Sequence, residues 1–261
     1  MSAMSYTCMA REAKHPVETS RKTFRLLEAI KERDGARVTE LATALDMGKS
    51  TVHNHLSTLR EDEFVVREGT EYRLGLRFLE FGGYVRNRQE LYRVAEPEID
   101  RLAEQTGEMA SLVTEEHGLG VYLQRSKGSQ AVALDTHAGY RCPLHVTAHG
   151  KAILAHLPDE RVREILDHHG LAARTPETIT DEAALFDHLE AVRSQGYSLD
   201  DEERMTGLRC VGAPIVADGT VEGAISVSAP TGRMRDDRFT DEMPDLVRST
   251  ANVIELNITH T

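Results

Sequence analysis

Cys142, His145 and His149 form the densest group of chemically versatile side chains in this 261-residue sequence. Thiolate and imidazole are ligands that Zn²⁺ takes readily, so these residue types allow a metal site. A helix is predicted to begin near Thr147, inside this spacing, and no fourth ligand lies nearby in the sequence. A metal- or thiol-responsive site therefore remains an alternative, and we expect the protein to hold no metal ion or other cofactor.

Catalysis is the second chemistry that these side chains suggest. His145 or His149 could serve as a base, with Ser226 or Cys142 as the nucleophile. The sequence contains no nucleophile elbow, phosphate-binding loop or recognisable acid/base pair. An enzyme is thus the weaker alternative, and we expect no catalytic residues.

The segment 144–151 has the features of an anion site. A helix that begins near Thr147 leaves the backbone N–H groups of Ala148, His149 and Gly150 free at the positive end of the helix dipole. Gly150 would also let a ligand or a neighbouring strand come close. This segment therefore predicts an anion site.

A second polar group lies on a helix predicted over 49–62. Val52, Leu56 and Leu59 mark its buried stripe. Steps of about 100° per residue place small polar side chains on the opposite face and its flanks: Ser50, Thr51, His53, Asn54, Ser57 and Thr58. Asn pairs well with adenine in the major groove, and Lys49 at the helix start can reach phosphate. The same face would also suit a merely solvated helix.

The preceding elements favour the DNA interpretation. A first helix is expected to follow a cap at residue 19 or 20, with Phe24, Leu27 and Ile30 on its buried face. A second short helix begins at Val38, and a tight turn leads from it into the polar helix. This order is typical of a helix-turn-helix module.

A hairpin and the distribution of charge support the same interpretation. Two β-prone pieces, 64–67 and 72–74, predict a wing whose Arg67 and Arg73 would touch the DNA backbone or minor groove. Residues 1–90 hold 15 Lys and Arg against 14 Asp and Glu, whereas the rest of the chain holds 16 against 29. Because a neutral segment approaches polyanionic DNA more easily than an acidic one, we expect DNA contacts before residue 90.

The remainder of the chain mixes strands and helices, which predicts an α+β domain. Strands are expected over 109–116, 120–125, 131–135, 209–216 and 221–228, and helices over 93–105 and near 147–157, 159–168, 181–194 and 240–257. No apolar run approaches the roughly 18 residues of a membrane span, and the N-terminus lacks the apolar core of a signal peptide. Together with three widely spaced cysteines, this favours a cytoplasmic protein without disulfides.

Several motifs, in order along the chain, resemble the IclR family of transcriptional regulators. They are LATAL (41–45), GKSTVHNHLSTL (48–59), YRLGL (72–76), GYRCPLHVTAHGKAIL (139–154), GYSLDDEE (196–203), GLRCVGAP (207–214) and AISVSAP (224–230). Glu63 stands where the family usually has Gly before the wing, which leaves the geometry of that turn open. Only six of the 31 basic residues are Lys, a composition typical of salt-accumulating archaea.

The resemblance implies a domain plan. It consists of a disordered N-terminus (1–18), a winged helix-turn-helix domain (19–75), a linker helix (76–92) and a GAF-like effector-binding and oligomerisation domain (93–261). The linker helix would help to pair two DNA-binding domains in a homodimer or dimer of dimers, as a pseudo-palindromic double-stranded operator requires.

The resemblance also implies the effector site and the function. Asp200, Cys210, Ser226 and Ser228 match family positions that line an effector cavity, although Ser226 and Ser228 alone would indicate a solvent-facing strand. The expected effector is a small organic or sugar acid. Family members commonly control carbon catabolism, so the expected function is ligand-responsive regulation, by repression or activation, of sugar or organic-acid degradation.

Overall fold

The computed structural model describes residues 13–260, which form two compact units that divide between Arg86 and Asn87. Residues 1–12, the larger part of the segment predicted to be disordered, lie outside the described residues. Within 13–260, no helix combines the length and the apolar character needed to cross a membrane.

The first unit is the predicted winged helix-turn-helix followed by one more helix. Its elements are α1 (Glu18–Glu32), α2 (Val38–Leu45), α3 (Lys49–Glu61), β1 (Val65–Glu68), β2 (Glu71–Leu74) and α4 (Arg77–Asn87). Side chains from the first five elements share one apolar core. Val52, Leu56 and Leu59 are buried in that core as predicted, so the polar face of α3 is directed away from it.

Helix α1 differs from the prediction in the face that it buries. It begins at Glu18 without a side-chain cap, and its buried residues include Leu26 and Ile30. Phe24, expected in the core, is 64% exposed. Apolar residues at 24, 26, 27 and 30 offer two overlapping stripes, and packing against α2 and β2 selects the stripe through Leu26.

The turn between α3 and β1 depends on the backbone conformation of Glu63. Its φ is 63°, in the left-handed region, which costs a residue with a Cβ about 1–2 kcal/mol. Gly75, just after β2, packs against this turn, since a Cβ there would collide with the carbonyl oxygen of Glu63. Glu63 therefore adopts the left-handed backbone conformation that a glycine adopts readily, and the turn leads into the wing.

The second unit is an α+β domain, as predicted. Its helices are α5 (Glu90–Thr106), α6 (Ala148–Leu154), α7 (Asp159–His169), α8 (Glu182–Gln195) and α9 (Met243–Thr259), the last preceded by a π-helical turn (Arg238–Glu242). Its strands are β3 (Met109–Glu116), β4 (Leu119–Lys127), β5 (Arg141–Pro143), β6 (Ser198–Asp201), β7 (Leu208–Ala217) and β8 (Thr220–Pro230). They form one antiparallel sheet in the order β5-β4-β3-β8-β7-β6.

The strands differ from the prediction in two respects. The segment 131–135 is an irregular loop, whose Leu134 carbonyl accepts a hydrogen bond from Arg125 at 3.3 Å instead of pairing with a strand. The short edge strands β5 and β6 were not predicted. β6 contains two consecutive acidic residues, Asp200 and Asp201, which are unfavourable in strands by propensity alone.

The region predicted as one linker helix over 76–92 is divided between two helices. α4 ends at Asn87, and α5 begins at Glu90 rather than at residue 93. α5 continues through Pro97 to Thr106 and packs on the sheet.

The two faces of the six-stranded sheet differ in chemistry. One face is mainly apolar and packs against α5 and α9 through side chains such as Val211, Ile225 and Val227. The other face packs against α6, α7 and α8 at one end through Val113 and Ala224. At its other end this second face carries buried polar side chains, which makes it the candidate ligand site.

The conformation of Glu63 generates a stability prediction. Glu63→Gly should stabilise the first unit by about 0.5–1 kcal/mol, because glycine adopts a positive φ without the Cβ penalty. The control is Asp62→Gly, whose φ is −83° and which should lose several tenths of a kcal/mol through the greater entropy of the unfolded chain. Urea unfolding would measure both, and a destabilised Glu63→Gly protein would contradict the strain argument.

Candidate functional site

The predicted DNA-reading face of α3 is open to solvent. Lys49, Ser50, Thr51, His53, Asn54 and Thr58 are exposed, and Ser57 is half-buried. The face contains no acidic side chain before Glu61. It can therefore approach a phosphate backbone without like-charge repulsion from its own helix.

One flank of α3 faces α1 rather than open solvent. His55 Nδ1 lies 2.9 Å from the hydroxyl of Thr23 on α1. Asn54 and Thr58 border a groove of about 530 Å³ whose other walls include apolar side chains from α1, α3, the wing and α4: Phe24, Leu27, Leu59, Phe64 and Phe78. These two polar residues thus lie between the reading face and an apolar groove.

The two wing arginines lie in different environments. Arg67 donates from Nε to the carbonyl of Gly69 at 2.9 Å, near the tip of the hairpin. Arg73 is within 4 Å of three carboxylates, those of Asp34, Glu68 and Glu71. These exposed ion pairs compete with a phosphate for the Arg73 guanidinium.

On the second face of the sheet, strand register brings together residues that are far apart in sequence. Asp200 on β6 pairs with Cys210 on β7, which pairs with Ser228 on β8. In the next row, Ser226 on β8 pairs with Ser111 on β3. All five side chains are buried, so Ser226 and Ser228 do not form a solvent-facing strand.

The N-terminus of α6 is packed more tightly than the sequence suggested. Thr147 caps the helix and accepts the N–H of Gly150 on its hydroxyl at 3.1 Å. A Cβ on Gly150 would collide with the carbonyl oxygen of Leu144, so the close neighbour at Gly150 is the preceding loop. A Cβ on Gly212 of β7 would lie 2.8 Å from the backbone nitrogen of His149. Gly150 therefore has no N–H left for a ligand, and β7 lies against the start of the helix.

His149 connects α6 to the polar face of the sheet. Its Nδ1 is 3.2 Å from the Ser226 hydroxyl, and its Nε2 is 3.7 Å from the Cys142 thiol. Its ring meets that of Tyr122 edge to face, with centroids 5.1 Å apart. Burial, with the nearby guanidinium of Arg204, lowers the pKa of His149 to about 3, so the imidazole is neutral at pH 7.

The structure does not bring Cys142, His145 and His149 together as a metal centre. His145 Nε2 lies 3.2 Å from the carbonyl of Ala172, away from the other two side chains. Among residues 13–260, no three His, Cys, Asp or Glu side chains are grouped as metal ligands. Burial also raises the pKa of the Cys142 thiol to about 11, which disfavours the thiolate that binds metals.

Asp200 organises the loop that follows β6. Its Oδ1 accepts the backbone N–H groups of Glu203 at 2.9 Å and Arg204 at 3.3 Å. Its Oδ2 is buried without a hydrogen-bond partner among residues 13–260. Burial raises the pKa of Asp200 to about 6. Glu203 in turn forms a buried ion pair with Lys151 of α6.

A cavity of about 260 Å³ opens beside the buried polar face of the sheet. Its lining comprises Leu134, Asp135, Tyr140, Cys142, Pro143, Val146, Arg174, Arg204 and Met205. None of the seven predicted effector residues is in this lining, but Cys142 joins the cavity to His149 and thereby to Ser226. The sequence did not predict either arginine; Arg204 follows an acidic run (200–203), which gives no local signal that it faces a cavity.

Comparisons with known proteins match both units. The model of the IclR helix-turn-helix domain matches residues 21–69, and that of the C-terminal domain of bacterial transcriptional regulator IclR matches residues 84–256. The chain is 39% identical over 238 residues to a probable HTH-type transcriptional regulator, ArcR, of Halobacterium salinarum, a match that covers 89% of this chain and 90% of that protein.

Solved structures give the same result. The crystal structure of Thermotoga maritima IclR is similar with a TM-score of 0.77 at 30% identity, over 93% of this chain and 99% of that one. An IclR homologue of Microbacterium hydrocarbonoxydans, solved in complex with 4-hydroxybenzoate, shares the fold with a TM-score of 0.79 at 24% identity, over 93% and 100% of the two chains.

The buried His149 generates a prediction of pH dependence. Its pKa is about 3 in the folded protein against roughly 6.5 when unfolded, so below about pH 6.5 only the unfolded chain takes up the proton. This contribution to stability is therefore lost as the pH falls from about 6.5 towards 3, at up to about 1.4 kcal/mol per pH unit. Asp200 acts in the opposite direction, since its raised pKa favours the folded state as the pH falls below about 6.

The test compares wild type with His149→Gln, because the contribution of Asp200 is common to both. Hydrogen exchange of amides in β3 and β8 at pH 7 and pH 5 reports the stability of this unit alone. The variant should lose less stability than wild type between the two values. The control is His168→Gln, at an exposed position on α7. Equal losses of stability in wild type and His149→Gln between pH 7 and pH 5 would contradict the prediction.

Proposed function

Because the chain belongs to the IclR family of transcriptional regulators, we propose that it controls a sugar- or organic-acid catabolic operon in response to a small acid. Its relatives are DNA-binding transcriptional regulators rather than enzymes. The observation that carries the proposal is the cavity beside the buried polar face of the sheet in the second unit. The first unit of the same chain exposes the polar face of α3, which is suited to DNA.

The DNA contacts are assigned to α3 and the wing. Lys49, Ser50, Thr51, His53, Asn54, Ser57 and Thr58 supply phosphate contacts and base-edge hydrogen bonds in the major groove. Arg67 at the hairpin reaches the backbone or minor groove. Arg73 is the weakest member of the predicted set, because it is already paired with Asp34 and Glu68.

The proposed oligomeric state is a homodimer or a dimer of dimers. α4 has no buried residue, and its exposed apolar side chains, together with the preceding Leu76, form a surface typical of a protein contact: Leu76, Leu79, Phe81 and Val85. Phe64 of the wing packs on Phe78 and Phe81 of α4, with centroids 5.1 and 5.5 Å apart. A second copy bound at α4 would thereby fix the position of both wings.

The effector site is assigned to the cavity and the layer behind it. Asp200, Cys210, Ser226 and Ser228 supply hydrogen-bonding groups, and Ala148 and His149 supply the helix-start amides that remain after Thr147 has capped Gly150. The unpartnered Oδ2 of Asp200 supports an acceptor role toward a ligand hydroxyl. A ligand can act on transcription only through a difference in its affinity for the DNA-competent and DNA-incompetent arrangements.

The DNA assignment predicts different effects for two variants. Asn54→Ala should relax the base preference at one operator position, at a cost of about 1–3 kcal/mol. Lys49→Ala should weaken binding to all sequences alike and reduce the salt dependence, because it removes a phosphate contact. Binding-site selection and salt titrations measure these effects. Unchanged preference in Asn54→Ala would place base readout elsewhere on the protein.

The effector assignment predicts a hydroxyl-specific effect at Asp200. Asp200→Asn keeps an oxygen to accept the Glu203 and Arg204 amides but turns the other position into a donor. A hydroxy acid such as gluconate or lactate should then bind about 5- to 150-fold more weakly, whereas its deoxy analogue changes little. Calorimetric titration of the full chain measures this, and equal losses for both ligands would contradict the role assigned to Asp200.

A control variant separates binding from folding. Ser226→Ala with Ser228→Ala should weaken both ligands and leave effector-free operator binding intact. Loss of operator binding in that protein would show that the two hydroxyls serve the fold of the sheet. If binding of any acid required added Zn²⁺, or if a product accumulated, the metal or enzyme alternative would replace the proposed function.

A further inference from the structure

Arg204 and Arg174 are the two cationic side chains in the lining of the 260 Å³ cavity. Among residues 13–260, neither guanidinium has a carboxylate within 4 Å, whereas the surface arginines Arg73 and Arg209 do. The cavity lining includes one carboxylate, the exposed Asp135. An arginine that faces a cavity without a counter-ion is a favourable place for an anionic ligand.

Arg204 is held in position before any ligand binds. Its Nη1 donates to the Tyr122 hydroxyl at 3.0 Å, and its guanidinium lies 5.9 Å from the centre of the Tyr140 ring. Its backbone N–H is fixed by Asp200 at 3.3 Å. The remaining N–H groups of the guanidinium are available for the paired hydrogen bonds that a carboxylate accepts.

The groups around Arg204 do not neutralise its charge. Burial raises the pKa of Tyr122 and of Cys142 and lowers that of His149, so all three are uncharged at pH 7. Arg125, on β4 with Tyr122, adds a further positive charge and donates to the carbonyls of Leu134 and Thr136. The potential at this end of the cavity is therefore positive.

The alternative anion site at the start of α6 is less suited to a ligand in this cavity. Gly150 donates its N–H to Thr147, and β7 packs against the peptide between Ala148 and His149 through Gly212. None of these three α6 residues contributes to the cavity lining.

We propose that Arg204, assisted by Arg174, binds the acid group of the effector and makes the site selective for carboxylates over uncharged analogues. The inference rests on the proposed function and places the acid group of the ligand at Arg204 instead of at the start of α6. The acid group lies against Arg204, and the hydroxylated part of the ligand points toward Cys142, His149 and the serines behind them. Asp200 then has two roles, as a ligand acceptor and as the residue that positions Arg204.

The test is calorimetric titration of the full chain with pyruvate, lactate, gluconate and 4-hydroxybenzoate, each beside its uncharged amide. Wild type should bind at least one acid and bind the matching amide at least tenfold more weakly. Arg204→Gln should lose roughly 10- to 100-fold in affinity for that acid and little for the amide. Arg204→Lys, which keeps the charge but not the paired geometry, should fall between the two.

The matched control is Arg141→Gln, an exposed position on β5 next to Cys142, which removes the same charge and should bind the acid like wild type. Operator binding without effector and far-UV circular dichroism verify that each variant is folded. Unchanged acid affinity in Arg204→Gln would overturn the inference while leaving the proposed function in place. Failure of wild type to bind any acid would overturn the proposed effector class and this inference with it.

Discussion

The buried ion pair between Lys151 and Glu203 is the interaction on which the geometry of the second unit depends. Lys151 is fully buried in α6, and Glu203 lies in the loop after β6. The backbone carbonyl of Glu203 also accepts hydrogen bonds from the hydroxyls of Thr175 and Thr178. A buried pair adds little net stability compared with apolar packing, but it penalises every arrangement that separates its partners. It thereby fixes the loop, and with it Arg204, relative to α6.

Around this pair, burial keeps two titratable side chains neutral. His149 has lost its proton, and the Cys142 thiol retains its own, because burial disfavours the charged forms of both groups. The positive charges that remain near the cavity are those of the arginines, which burial does not discharge, and the one carboxylate in its lining is the exposed Asp135. The site therefore has a positive end and a hydrogen-bonding end, an asymmetry suited to a ligand with one acid group and several oxygens.

Sequence reasoning succeeded where the determining interactions are local. The stripe of Val52, Leu56 and Leu59 predicted α3 and its open face, because helix periodicity depends on neighbours within two turns. β6 was missed because its pairing with β7 overrides a poor local propensity at Asp200. Arg204 was missed for a related reason, since only the folded sheet shows that it faces Tyr122. The capping of Gly150 by Thr147 was likewise not apparent from the residue types alone.

The high pKa of Cys142 has a consequence for the chemical durability of the protein. With a pKa of about 11, only about one molecule in ten thousand carries the reactive thiolate at pH 7. Oxidants and alkylating reagents act on the thiolate, and the side chain is also buried. Cys142 can therefore line a small-molecule cavity and remain a reduced hydrogen-bonding group.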